Sequence, residues 1–137
     1  MLVPVHIILS AILSLILVPI FGIYSLLIFL GGVLIDVDHY LEYAVRKKDL
    51  SLIKAYKEGM MFYRKSIRLG RPIRINVLHI FHTLEFLIIF MLLSFFSKII
   101  SILLIGILFH IVLDLGWLIK RKALKSRAHS FIGWLEK

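Results

Sequence analysis

The sequence predicts an all-α membrane protein with four transmembrane helices and a basic amphipathic helix in the interface between the second and third. Composition is the first observation behind this. Apolar residues make up 61 % of the chain and charged residues 18 %, against about 25 % charged in an average soluble protein. The second is spacing: no charge precedes Asp36, and two later stretches hold one acid each, Glu85 between Arg74 and Lys98, and Asp114 between Lys98 and Lys120. Such stretches match the hydrocarbon of a bilayer better than the core of a soluble domain. The third is placement, because ten of the 17 Lys and Arg lie from Arg46 to Arg74, six lie from Lys120 to Lys137, and Lys98 stands alone.

Residues 2–18 and 20–35 read as a hairpin of two spans, broken by Pro19 and Gly22. A 17-residue helix covers about 25 Å, slightly less than a ~30 Å hydrocarbon core. A cleaved signal peptide is the competing reading of this region. It is disfavoured because no Lys or Arg precedes Arg46 and no small-x-small cleavage pattern leads into a soluble domain. Gly31 and Gly32 either let two helices approach closely or unwind the helix end, and both readings stay open.

From Leu50 to Ile67, the apolar residues Leu52, Ile53, Tyr56, Met60, Tyr63 and Ile67 recur at near-helical spacing, with Lys54, Lys57, Arg64, Lys65 and Arg68 between them. This pattern predicts a helix lying on anionic inner-leaflet lipids, at about 1 kcal/mol per basic residue, or gathering a phosphorylated or lipid substrate. Gly70, Pro72 and Asn76 mark a turn, followed by spans 77–97 and 99–119 and a basic tail, 120–137. Trp117 and Trp134 suit the aromatic belt. Basic loops stay cytoplasmic, so loop 46–76, the tail and both termini are expected on that side of the cell membrane, with Lys98 on the other. Nucleic-acid binding is not expected, because the basic segments bracket apolar spans and do not decorate a polar surface. The absence of cysteine excludes disulfides, thiolate metal sites and cysteine nucleophiles.

This topology sets the depth of every polar residue at about 1.5 Å per residue. His6 falls about 8 Å inside the first span, and Asp36, Asp38 and His39 mark the return of the second. His79, His82 and Glu85 enter the third within about 13 Å of the same face, and Asp114 and His110 lie roughly 9 and 15 Å below Lys120. All are in one leaflet, and four of the eight acids of the chain belong to the set. A lone carboxylate in a bilayer costs on the order of 3 kcal/mol, so these acids need partners, which histidines and a metal ion supply. His110 and Asp114 share a helical face, as do Asp36 and His39. His79, His82 and Glu85 would sweep about 120 degrees of a helix. Asp38 points away in a regular helix, so either the backbone unwinds there or Asp38 supports a ligand from behind. His129 reads as a solvated tail residue.

An early histidine in an apolar helix (His6), Asp36-Val37-Asp38-His39, the histidines from His79 to Glu85, and His110-x-x-x-Asp114 occur in an order that resembles a known family. It is the YdjM-type family of small LexA-binding inner-membrane proteins, regarded as metal-dependent hydrolases and related in motif to zinc-dependent phospholipase C. The resemblance covers most of the chain and implies a metal, zinc first, and a hydrolytic reaction. The chain departs from the family pattern where Ile35 replaces the usual Pro, which removes the simplest cause of a helix break at Asp36. It departs again where Ile80 follows His79 in place of an Arg. Arg71 and Arg74 of the loop are the nearest substitutes for that Arg.

The function expected is a membrane-embedded metallohydrolase acting on a phosphoester or lipid headgroup at the cytoplasmic face. The expected metal ligands are His6, Asp36, Asp38, His39, His79, His82, His110 and Asp114, with Asp36 and Asp38 bridging or supporting. Zinc suits imidazole and carboxylate, and Mn2+ or Fe2+ also fits. Glu85 is the candidate base, its pKa expected to rise by burial, and Asp38 is a second candidate catalytic carboxylate. The alternative is a non-enzymatic metal-binding or ion-handling protein. Beyond the site only Ser10, Ser14, Ser94 and Ser101 approach the Lys98 side, so a transport pathway would require an oligomer. A bundle clamped by polar contacts with no ion is the third reading.

Overall fold

The computed structural model describes residues 3–74 and 77–136. Leu2, the start of the first expected span, Asn76 of the expected turn, and Lys137 lie outside them. The regular structure of the described residues is helical, with one isolated parallel bridge between Val77 and Arg127. The helices are α1 (Val3–Ile16), α2 (Val18–Phe21), α3 (Ser25–Leu34), α4 (Val37–Lys47), α5 (Leu52–Leu69), α6 (Leu84–Ser94), α7 (Lys98–Lys120) and α8 (Ile132–Leu135). Two helical stretches, Val18–Lys47 and Lys98–Lys120, are long and apolar enough to cross a membrane, while α1 and α6 are apolar but shorter.

α1 turns its polar side inward. Its buried residues are His6, Ser10 and Ser14, at steps of four, while Ile8, Ile12, Leu15 and Ile16 are exposed. The break expected at Pro19 and Gly22 is present, with Pro19 in the first turn of α2 and Gly22 at φ +56°, a conformation that favours glycine. Ser14 Oγ then donates to the Ser25 carbonyl at 2.8 Å, fastening α1 to the start of α3.

α3 packs against both α1 and α7, and α6 packs against α7. The two possibilities for Gly31 and Gly32 resolve in favour of close approach. A Cβ on Gly31 would lie 2.2 Å from the Leu103 carbonyl oxygen, and one on Gly32 would lie 2.2 Å from Ser10 Oγ. Gly106 faces them from α7, where a Cβ would lie 2.0 Å from the Ile28 carbonyl oxygen. Small residues that bring helix backbones together are the usual basis of packing where lipid removes the hydrophobic drive between helices. Ile35, Leu104 and Ile107 form the apolar core, joined by Phe81, Phe86 and Phe90.

Two elements differ from expectation. The second helical stretch continues past residue 35 as α4, after a turn at Ile35–Asp36 that forms without the proline. The third helix starts at Leu84, and residues 77–83 are extended or 3-10. Thr83, with β-region dihedrals, caps α6 by accepting the Phe86 N–H at 3.4 Å. The 120-degree helical arc expected for His79, His82 and Glu85 therefore does not exist. α5 matches its periodicity, with Ser51 as N-cap and Gly70 as left-handed C-cap.

Candidate metal centre

Five chain segments converge at the end of the bundle where α3 gives way to α4. α1 brings His6, the α3–α4 junction brings Asp36, Asp38 and His39, residues 77–83 bring His79 and His82, α7 brings His110 and Asp114, and the tail brings Arg127. His6, Asp38, His79, His82, His110 and Asp114 are all buried, while His39 stands at the rim with 37 % of its side chain exposed.

Two histidines have their tautomers fixed by their surroundings. His110 Nδ1–H donates to the Gly32 carbonyl at 2.7 Å, because a carbonyl only accepts. His82 Nδ1–H donates to Asp38 Oδ2 at 2.8 Å, and the Phe81 N–H donates to the same oxygen at 3.0 Å. Each ring therefore directs its Nε2 lone pair inward, and the two Nε2 atoms are 3.2 Å apart. Two buried lone pairs at that distance repel one another unless a proton or a metal ion lies between them.

The atoms around this pair have the spacing of a coordination shell. Asp36 Oδ1 lies 3.5 Å from His110 Nε2 and 3.3 Å from His39 Nε2. Asp114 Oδ2 lies 3.8 Å from His82 Nε2 and 3.9 Å from His110 Nε2. Ligand atoms of a tetrahedral zinc with bonds of 2.0–2.1 Å are about 3.3–3.4 Å apart, so the residues fit such an ion with a slightly expanded shell. His6 Nε2 is 2.9 Å from Asp114 Oδ1, and its ring stacks on His110 with centroids 3.8 Å apart. His79 Nδ1 and Asp38 Oδ1 are buried without hydrogen-bond partners, 3.8 Å apart, and with His39 they form a second ligand group at the rim. Asp36, Asp38 and Asp114 bring three carboxylates to the cluster, and Arg127 brings a guanidinium. Arg127 Nη2 donates to Asp114 Oδ2 at 2.5 Å.

The alternatives left open for Asp38 resolve together. The turn at Ile35–Asp36 puts it in the first turn of α4, where it holds His82 from behind. Glu85 is not brought to the cluster. It accepts from Ser130 Oγ at 2.6 Å, from the Phe131 N–H at 2.9 Å and from the Ile132 N–H at 3.3 Å, so it ties the tail down, and the burial expected to raise its pKa is missing. His129 is exposed and donates from Nε2 to the Leu124 carbonyl. Arg74, an expected substitute for the missing Arg, is committed to Glu42, which Arg46 also grips. Arg127 went unnoticed in the sequence. The pattern Ser126-Arg127-Ala128, with its small residues around an arginine, was a faint signal that the tail packs closely.

A cavity of about 860 Å³ opens from this cluster. Asp36, His39 and Arg127 line one end, and Tyr43, Phe62 and Trp117 line the part between α4, α5 and α7. Tyr63 of α5 stacks on Trp117 of α7 with centroids 6.1 Å apart, which seats the amphipathic helix over the cavity. No protein family, curated protein or solved structure matches the chain.

Proposed function

We propose that this protein is a four-span membrane metallohydrolase whose His/Asp centre acts on a phosphoester or lipid headgroup at the cytoplasmic face, in keeping with the YdjM-type resemblance. The observation that carries the reading is the pair of Nε2 lone pairs from His82 and His110, 3.2 Å apart and each fixed by an acceptor on its other nitrogen. His82, His110, Asp36 and Asp114 hold the ion, His6 orients Asp114, and His39 and His79 extend the ligand set toward the cavity. A bound divalent ion supplies Lewis acidity and brings the pKa of a coordinated water toward neutrality. Asp38 holds His82 in its liganding tautomer. With Glu85 tied to the tail, Asp36, His39 and His79 are the carboxylate and imidazole groups of the cluster that line the cavity, and one of them would take up a proton released at the centre.

The membrane reading is supported by the reversed polarity of α1 and by the apolar exterior, on which Phe95 and Phe96 are 79 % and 88 % exposed at the Lys98 turn. Soluble monomers rarely expose contiguous apolar patches above a few hundred Å². In this reading α1, Val18–Leu34, α6 and α7 span, and α5 lies on the inner leaflet.

The test is metal analysis of protein purified in detergent, paired with a panel of phospholipids and phosphoesters. Wild type holds stoichiometric zinc or manganese and turns over at least one class, whereas His110→Ala loses both metal and turnover. Wild type that neither holds nor rebinds metal refutes the reading. Metal-loaded protein inert across the panel leaves the ion site and removes the hydrolase.

A further inference from the structure

We propose that Arg127 is the anion-binding residue of this site, so that the C-terminal tail is a wall of the substrate pocket and holds a phosphate group beside the His/Asp cluster. The inference rests on the metal-centre reading and names what binds next to it. The tail is fastened by backbone bonds on both sides of Arg127. The Val77 N–H donates to the Ser126 carbonyl at 3.1 Å, the Ala128 N–H to the Val77 carbonyl at 2.9 Å, and the Leu84 N–H to the His129 carbonyl at 2.9 Å. Ala128 is buried against this support, and Glu85 anchors the segment that follows. The guanidinium is thereby delivered from a fixed backbone, and its side chain is 11 % exposed.

A guanidinium carries five N–H donors in a planar fork that suits two oxygens of a phosphate. Among the described residues, Arg127 makes one side-chain hydrogen bond, to Asp114, so most of its donors remain for a ligand. Of the other arginines that line the cavity, Arg46, Arg74 and Arg121 are committed elsewhere, and Arg71 lies on the loop side. Arg46 and Arg74 hold Glu42, and Arg121 lies over the Trp117 ring at 4.8 Å. Arg127 shares Asp114 Oδ2 with the proposed ion site, so a cation there would compete for that oxygen and leave the guanidinium donors to the anion. The apolar part of the lining, with Tyr43, Phe62 and Trp117, favours a phosphate that carries an apolar chain over a free one.

The experiment uses the full chain in dodecylmaltoside, loaded with Mn2+, its metal content measured by mass spectrometry. Dihexanoyl phosphatidic acid and inorganic phosphate are each titrated by calorimetry into wild type, Arg127→Gln and Arg127→Lys. Wild type is expected to bind, Arg127→Gln to bind roughly 10- to 100-fold more weakly with its metal content kept or raised, and Arg127→Lys to fall between. Tighter binding of the lipid assigns the phosphate to a headgroup, and equal binding of both assigns it to a soluble phosphate. Unchanged affinity in metal-loaded Arg127→Gln overturns the proposal, as does a metal-loaded wild type that binds neither probe, and both leave the metal centre standing. If Arg127→Gln loses metal and phosphate together while Arg127→Lys restores neither, the arginine is structural and the proposal fails. Wild type without metal overturns both readings, and the metal measurement tells that case apart.

Discussion

Gly106→Ala is expected to damage the fold and the proposed centre together. A Cβ at Gly106 would sit 2.0 Å from the Ile28 carbonyl oxygen and 2.8 Å from the Gly32 nitrogen, both backbone atoms, where ordinary contact begins near 3.4 Å. α3 and α7 must therefore separate by about 1.4 Å, because backbone has no rotamer with which to yield. One turn along α7, His110 Nδ1 donates to the Gly32 carbonyl at 2.7 Å, so the same separation stretches that bond to about 4 Å and breaks it. Overpacking at about 1–3 kcal/mol, with about 1–3 kcal/mol for a buried group left unpaired, gives a loss of about 2–6 kcal/mol. Removing the partner that orients a ligand is worth roughly 10- to 100-fold in metal affinity. Thermal unfolding in detergent and metal titration measure the two effects. Gly116→Ala is the control, since a Cβ there meets nothing within 4 Å and the gain in helix propensity is about 1 kcal/mol. If Gly106→Ala melts within about 2 °C of wild type and binds metal equally, the α3–α7 contact does not position His110.

Three further outcomes follow from the same geometry. Chelation should lower the melting temperature of wild type by about 10 °C or more, as expected for loss of an ion present at about a thousand times its Kd, and should leave His82→Ala unchanged; equal shifts in both would separate the ion from His82. Glu85→Ala should free the tail, raising trypsin cleavage at Lys125 and Arg127 about tenfold while metal content stays at the wild-type level, because Glu85 accepts from Ser130, Phe131 and Ile132 and touches none of the cluster. The chain has no cysteine, so single cysteines report topology directly. An impermeant maleimide added to intact cells should label Lys98→Cys and spare Lys122→Cys, and the reverse pattern would invert the proposed orientation.

The sequence made the helical class legible because periodicity and the Pro19–Gly22 break are local, and α5 could be read almost residue by residue from its basic and apolar alternation. Residues 77–83 were misread for a different reason. Their apolar composition continues into α6 with no Gly or Pro between them, and what stops the helix is tertiary: Asp38 takes the Phe81 N–H and the His82 Nδ1–H. Thr83 followed by Glu85 is an N-cap pattern, and it was the one local signal that a helix starts at residue 84. Counting residues along the expected spans placed the histidines and most of the acids toward one end of the bundle, where His6, Asp36, Asp38, His39, His79, His82, His110 and Asp114 do meet. Glu85 was drawn in with them by depth alone, although its helix turns it toward the tail. Arg127 lay beyond any such argument, because only backbone bonds to Val77 and Leu84 bring a tail residue into the cluster.

The fold and the proposed centre depend on each other through the environment. In the proposed membrane setting there is little hydrophobic drive between helices, so association would rest on close backbone contact and on polar bonds. Gly31, Gly32 and Gly106 supply the contact, and they also bring the Gly32 carbonyl within reach of His110. The polar contacts are concentrated in a cluster where the facing Nε2 atoms of His82 and His110, when neither carries a proton, repel each other and so push α7 away from residues 77–83. A cation reverses the sign of that interaction, because each ligand then attracts the same point. The ion would thus join the α3–α4 junction, residues 77–83 and α7, with α1 held to them through the His6–Asp114 contact.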